Sequence, residues 1–363
     1  MLIKRPHIIV IGAGIVGASL AYHLSRKNVS VTLLDKAAKP AAGATEKSFA
    51  WVNVAHDAPE TYLHLRQQAI ADWHRVETAF EGKLSSNWSG ALTWYDEPAK
   101  TARIEQRLLS AGYAVRLVDQ AEIRRLEPNL RTVPAQALFA ENEGVIEPIT
   151  ATELLVSAAQ AAGTHVRLGT EVLRLTFNGE RITGVVTSNG SLAADSVVLA
   201  AGASATALCQ LLGLRLPLVA SPAILLDFHT TQAFVNRIVS MPGMEIRAVS
   251  ATQLVAAEDY VDGFGKNSPS AIGRRTLQAI KEQWRNAEAI TLASANVGQR
   301  PMPSDGLPIV GRVTHIAGLY LSLMHAGVTL AALVGRLVAA ELVSGQDEAL
   351  LATYRPKRFG SSQ

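Results

Sequence analysis

Two short stretches carry residues whose types and spacing suggest chemistry. The first, GQRPMPSDGLPIVG at residues 298–311, sets three prolines and three glycines around one cation, Arg300, which is fixed between Gln299 and Pro301. Pro301 and Pro303 stiffen the backbone on one side, so the guanidinium has a rigid mount and needs something to hold. The second is Gly12-Ala13-Gly14-Ile15-Val16-Gly17. It follows the apolar run HIIVIG (7–12), opens an alanine-rich helical pattern (15–27), and precedes a second apolar run, VSVTLLD (29–35), that ends on Asp35. An acidic residue about 20 positions beyond such a loop completes a dinucleotide-binding context. Gly12 permits the tight turn, Gly14 lets the backbone approach a pyrophosphate, and Gly17 lets helix pack on strand. The helix N-terminus favours the anion, and Asp35 can accept from ribose hydroxyls.

These residues need elements to position them. At 363 residues, 48% apolar and 18% charged, the chain has ample material for a large buried core. A net charge of +3 and a pI near 9.0 are mildly basic, but Lys and Arg are scattered, so nucleic acid is not expected as a partner. A mean hydropathy of +0.16 leaves a peripheral membrane contact open. The single cysteine, Cys209, rules out a disulfide framework and suits a reducing compartment, with cytoplasm the default. It sits in a helix-like run and reads as core. No His, Asp or Glu cluster has metal-ligand spacing, so no metal is expected.

Apolar, β-branched runs at 7–12, 29–35, 165–177, 181–188 and 195–202 predict strands. Helical spacing recurs over 15–27, over 60–80 through Leu63, Ile70, Trp73 and Val76, over 150–162, and over 269–287. Residues 316–343 read as a strand, a glycine loop and a buried helix, since His325, Arg336 and Glu341 interrupt any membrane span. Strands alternating with helices give an α/β class. The stretch 215–295 lacks that rhythm, carries turn signals at Pro242-Gly243 and Asp262-Gly263, and reads as a second, sheet-based substrate region inserted into the nucleotide fold.

The glycine loop does not separate NAD from FAD. GATEKSFAWVN (43–53) does, because FAD proteins run a glycine-started, hydroxyl-bearing loop after the second strand toward the flavin. With VVLAAGASA (197–205) and the C-terminal GQRPMPSDGLPIVG and LYLSLMHAGVTLAALVGRLVAAEL, the chain resembles the D-amino-acid oxidase family of FAD-dependent oxidoreductases, which includes glycine oxidase, sarcosine oxidase and amino-acid dehydrogenases. That resemblance implies an FAD-binding, Rossmann-like nucleotide domain of the glutathione-reductase type with an inserted, mainly antiparallel substrate domain. The FAD-binding part is expected over 1–80, 145–212 and 296–363, and the substrate part over 81–144 and 213–295.

Position by position, the resemblance implies that Gly12, Gly14, Ile15, Val16, Gly17, Asp35 and Lys36 meet the ADP half, with Asp35 where glutamate is commoner. Gly43, Ala44, Thr45 and Ser48 fall on the loop to pyrophosphate and flavin, with Phe49, Ala50 and Trp51 close to the ring. Val172 brackets the adenine, and Ala200, Ala201 and Gly202 lie against the cofactor. Gly311 and the loop His325-Ala326-Gly327-Val328-Thr329 meet the flavin, the latter through a helix N-terminus. Arg300 falls where the family clamps a substrate carboxylate; the competing reading staples its loop to a neighbouring acid. His325 and Tyr260 are further candidates at the substrate, each with a structural alternative, and His56 either lines the pocket or stands on a surface loop. The implied reaction is oxidation of an α-amino acid or N-alkyl amino acid, with noncovalent FAD and with oxygen or another electron acceptor. A partner subunit and a non-catalytic flavin carrier remain as alternatives.

Overall fold

The computed structural model describes residues 5–56, 58–260 and 267–360. Lys4, ahead of the first strand, and the turn signal at Asp262-Gly263 lie outside the described residues.

The strand His7–Ile11 is buried beyond its first residue, as its apolar, β-branched sequence requires of a central strand. Ser30–Leu34 and Ser196–Leu199 pair with it in parallel on either side. His165–Arg167 completes one edge of this six-stranded sheet; Leu319–Leu323 and then Ile309–Arg312 complete the other. Only that last strand runs antiparallel to its neighbour. Helices Ile15–Ser25, Pro148–Ala161 and Gly327–Ser344 pack into one layer against the sheet. Pro148 occupies the first turn of its helix, where a missing N–H costs nothing. By length and hydropathy Gly327–Ser344 is the one described helix fit to cross a membrane, but 67% of it is buried inside the fold, so it serves as a core helix.

The run 165–177 is not one strand. Gly169, at φ +64°, turns the chain, so His165–Arg167 joins the nucleotide sheet while Val172–Asn178 starts a three-stranded antiparallel sheet with Arg181–Thr187 and Gly190–Ala193. The turn is tied to the end of the second strand by Gly169 N–H donating to Ala37 O (2.8 Å) and Thr170 N–H to Asp35 O (2.8 Å).

An eight-stranded, mainly antiparallel sheet forms the other half. Its order from one edge is Thr291–Pro303, Leu218–His229, Gln253–Asp259, Met244–Ser250, Ile238–Met241, Ala91–Thr93, Gln136–Ala140 and Arg116–Asp119. One face packs on the helix Pro269–Gln283, which Ser268 caps, in a core centred on Phe228, Phe234 and Trp284. That helix stops at Gln283, short of the expected 287, because Trp284 turns into extended backbone and bridges Leu130. The opposite face meets the nucleotide half through Phe49, Val145, Leu225, Ile238 and Val255. Cys209 is fully buried, as expected of a core residue, and burial pushes its thiol up to about 12.

Candidate active site

The glycine loop is determined by close approaches. Gly12 sits at φ +108°, and a Cβ there would lie 2.5 Å from Ala200 O, inside the 200–202 turn. A Cβ on Gly17 would lie 1.8 Å from Gly12 O, which is the tight helix-to-strand contact its position predicts. Ile15 N–H, the first of the helix, donates to Thr45 Oγ1 (3.1 Å), so the loop carrying Gly43, Ala44, Thr45 and Ser48 crosses the helix N-terminus. Asp35 does more than await a ribose: its two oxygens accept from Ala13 N–H (2.7 Å) and Ala37 N–H (2.8 Å). Each oxygen keeps a second lone pair, so the carboxylate shapes the loop and still has capacity for a hydroxyl. Lys36 beside it is exposed, and the strand that opens with Val172 starts from the turn bonded to Asp35.

Two helix N-termini converge here. A Cβ on Gly327 would touch Val16 (3.4 Å) and Ile15 (3.8 Å), and neither helix is capped by its own N-cap residue, Gly14 or Ala326, although Thr45 takes the first N–H of the helix from Ile15. The remaining N–H donors and two positive dipole ends in one place suit a pyrophosphate and an electron-rich ring edge. The residues present therefore fit FAD. The second helix start is braced by Thr329 Oγ1–H donating to Trp51 O (3.1 Å) and by the Trp73 indole donating to Val328 O (2.8 Å).

From this point a cleft of about 870 Å³ runs to the eight-stranded sheet. Ala44, Ser48, Phe49, Ala50 and Trp51 line one wall, and His325 to Thr329 line the end. The sheet wall carries Arg300, Asp259 and Glu245. Strand register places Arg300 opposite Ser221. Its guanidinium donates to Ser221 Oγ (3.1 Å) and Pro222 O (3.2 Å), and at 3.4 Å to Asp259, whose side chain is 88% exposed. The stapling contact read from the sequence is present, with Asp259 as the acid. Arg300 is braced by the sheet, and it faces the cleft with its one carboxylate partner among the described residues weakly held, since so exposed a pair contributes little. The 200–202 turn reaches the same segment, a Cβ on Gly202 lying 4.0 Å from Pro301.

His325 lines the cleft and stays exposed to it; desolvation by the cleft walls, then Arg300 and Arg66, lower its ring to about 4. His56 also lines the cleft rather than a surface loop, and burial lowers it to about 3. Tyr260 does not join them. Side chains alternate along a strand, so the residue after Asp259 points to the other face, where Tyr260 packs against the helix-side core. Gly311 lies outside the cleft lining too. Its missing Cβ makes room for Arg355 and Pro356, each 2.9 Å away, at a φ of +153°.

The structure adds residues that sequence reasoning missed. Arg66 is buried in the cleft wall, donating to Asn53 O (2.7 Å), to Asn53 Oδ1 and to Tyr62 OH (3.4 Å). Its signal was present, since position 66 falls between Leu63 and Ile70 on the apolar stripe of its helix, where a charge is out of place. Glu143 is wholly buried beneath the same loop and accepts from Val54 and Ala55 N–H, both at 2.6 Å. No local pattern marks it, because its partners lie about ninety residues earlier.

Groups with shifted titration set a pH profile. Burial raises Glu127, Glu143 and Glu245 from 4.5 to about 7 each, so the folded state holds protons that the unfolded state has lost, and stability falls as pH rises across that window. His23, His56 and His325 are lowered from 6.5 to about 4, 3 and 4, so their contribution rises with pH up to 6.5. The slopes oppose each other between 4.5 and 6.5. Glu143→Gln keeps an oxygen for both N–H groups and removes one falling slope. The variant should gain stability relative to the parent from pH 4.5 to 7, by on the order of 3 kcal/mol at most. Denaturant melts at pH 5, 6 and 7.5 check this; parallel curves would refute it.

Comparison with known proteins agrees with this geometry. The sequence matches the DAO family, described as FAD dependent oxidoreductase, over residues 7–341. A D-amino acid dehydrogenase of Cereibacter sphaeroides is 28% identical, over 93% of this chain and 92% of that protein. The glycine oxidase of Pseudomonas aeruginosa is 27% identical, over 96% and 98%. Among solved structures, iminodiacetate oxidase from Chelativorans sp. BNC1 superposes with a TM-score of 0.84 at 27% identity, covering 96% of this chain and 98% of that one. An L-amino acid deaminase from Proteus vulgaris shares the fold at a TM-score of 0.87 and 19% identity, covering 98% and 94%. A glycine cradle, two convergent helix ends and a match spanning both halves of the fold lead to one statement: this chain belongs to the DAO family of FAD-dependent oxidoreductases, and its cofactor is FAD.

Proposed function

We propose that the protein oxidises an α-amino acid or an N-alkyl amino acid at the carbon bearing nitrogen, giving an imine that water hydrolyses to a 2-oxo acid and an amine. The observation that carries this reading is Arg300, a braced guanidinium opening on the cleft that the FAD-binding elements also line. A planar fork held by sheet carbonyls is already oriented, so gripping a carboxylate costs it little further freedom. The substrate carboxylate displaces Asp259, whose bond is long and solvent-exposed. Bound FAD supplies a two-electron acceptor for the hydride that leaves the α-carbon. The uncapped start of the helix Gly327–Ser344 favours negative charge at that end of the cleft. His325, held neutral, offers a hydrogen bond there without adding a cation.

The test is an anaerobic titration of flavin absorbance against D-, L- and N-methyl amino acids. One class should bleach the flavin, and recolouring on admission of air separates oxygen from another acceptor. A flavin that none of the three classes bleaches would overturn the reading.

A further inference from the structure

Four carboxylates line the cleft: Glu245, Glu258, Asp259 and Asp305. Three are engaged by the protein. Glu258 is taken by Thr276 and Arg275 (3.3 Å), Asp305 by Arg358 (2.7 Å), and Asp259 by Arg300 (3.4 Å). Glu245 has neither a hydrogen bond nor an ion pair among the described residues. It stands on the strand Met244–Ser250, paired with Ala257; Ala257 pairs with Leu225, and Leu225 with Asn296. Asn296 and Arg300 are four apart on one strand, so Glu245 and Arg300 share the cleft-facing side of the sheet. Three interstrand steps and four residues along the strand part their backbones, roughly 14 Å across the sheet and about 20 Å in all. Two long side chains converging from those positions leave a gap suited to a small zwitterion.

The charges around Glu245 sharpen the point. Burial raises its carboxyl to about 7; Asp259 pushes the same way, and Arg300 opposes. A carboxylate in such surroundings needs a counter-charge, and the described chain supplies none within bonding reach. Lys47 is the other charged lining group without a described partner, and its stem packs 3.0 Å from the Cβ position of Gly298, two residues from Arg300. Cations therefore gather at the Arg300 end, and Glu245 stands apart as the free negative group.

We propose that Glu245 recognises the positively charged amine of the substrate, so that the cleft reads a zwitterion from both ends, Arg300 taking the carboxylate and Glu245 the amine. The proposal rests on the amine-oxidising reading and deepens it. The ligand class becomes carboxylates that also bear a cation, and simple or N-acylated carboxylic acids are disfavoured.

Calorimetric binding to the FAD-loaded protein tests this with two unreactive probes. 2-Aminoisobutyrate lacks an α-hydrogen and binds without turnover; isobutyrate is the same carboxylate without the amine. The parent should prefer 2-aminoisobutyrate. Glu245→Gln should lose about tenfold or more in affinity for it while binding isobutyrate as well as before or better. Glu245→Asp should restore part of the preference, and the flavin spectrum of both variants should match the parent. A Gln variant that keeps the parent's preference would overturn the inference and leave the amine-oxidising reading intact if amino acids still bleach the parent's flavin. A parent that binds neither probe and is bleached by no amino acid would overturn both.

Discussion

Arg300→Met is expected to raise the KM for the amino-acid substrate by about two to three orders of magnitude while FAD stays bound, because removing one partner of a hydrogen-bonded charge pair typically costs about 3–4 kcal/mol. The side chain touches no part of the glycine cradle, so flavin absorbance should be unchanged. Its bonds to Ser221 and Pro222 are lost as well, but the two long strands remain paired from Leu218 to His229 against Thr291 to Pro303. The loss should fall mainly on KM, since a grip on the carboxylate operates before and during hydride departure and so acts as uniform binding. Arg300→Lys keeps the charge without the planar fork and should land between the two. A KM within threefold of the parent would mean that Arg300 only staples its strand. Steady-state and rapid-reduction kinetics on the amino acid that bleaches the parent decide it.

Gly17→Ala is expected to yield protein without flavin and with a clearly lowered melting temperature. The added Cβ would fall 1.8 Å from Gly12 O, a distance no rotamer change relieves because the backbone fixes where a Cβ stands and Gly12 O is itself a backbone atom. Helix Ile15–Ser25 must then move off the first strand, at a cost of at least about 1–3 kcal/mol of overpacking, and it carries the N–H groups that face the cofactor. Gly43→Ala is the matched control for stability. No protein atom lies within 4 Å of its Cβ position, so that variant should be as stable as the parent. Absorbance near 450 nm, where flavins absorb, and thermal melts compare the two; a yellow, stable Gly17→Ala would refute the cradle.

What could be read in advance depended on how local each signal is. Gly12, Gly14, Gly17 and Asp35 announce themselves because they recur at fixed spacing within one strand-helix-strand unit, where Gly17 meets Gly12 and Asp35 meets Ala13, even though Gly12 also packs on the distant Ala200. The long run 165–177 misled for a local reason, since its periodicity continues through Gly169 while the backbone does not. Tyr260 misled by one residue: a strand that presents Asp259 to the cleft must turn Tyr260 away. Glu143 and Glu245 were out of reach altogether. One acquires its role from the 54–55 backbone, the other from strands on the far side of Ala257, and neither relation leaves a pattern in neighbouring residues. Arg66 lies between these cases: periodicity places the position on the buried apolar stripe, while its charge alone would assign it to the surface.

The interleaving of the two sheets also bears on how the molecule comes into being. The chain passes between them four times, and the central strand at His7 meets its neighbour near Asp195 across 188 residues. During synthesis the first strand and its glycine loop leave the ribosome long before any partner on that side exists, and the nucleotide sheet cannot close until Leu319–Leu323 follows. The strand bearing Arg300 and the helix starting at Gly327 emerge almost together, at the end of that wait. Cofactor cradle and proposed substrate grip therefore mature in one late event, and a nascent chain halted before it would hold neither.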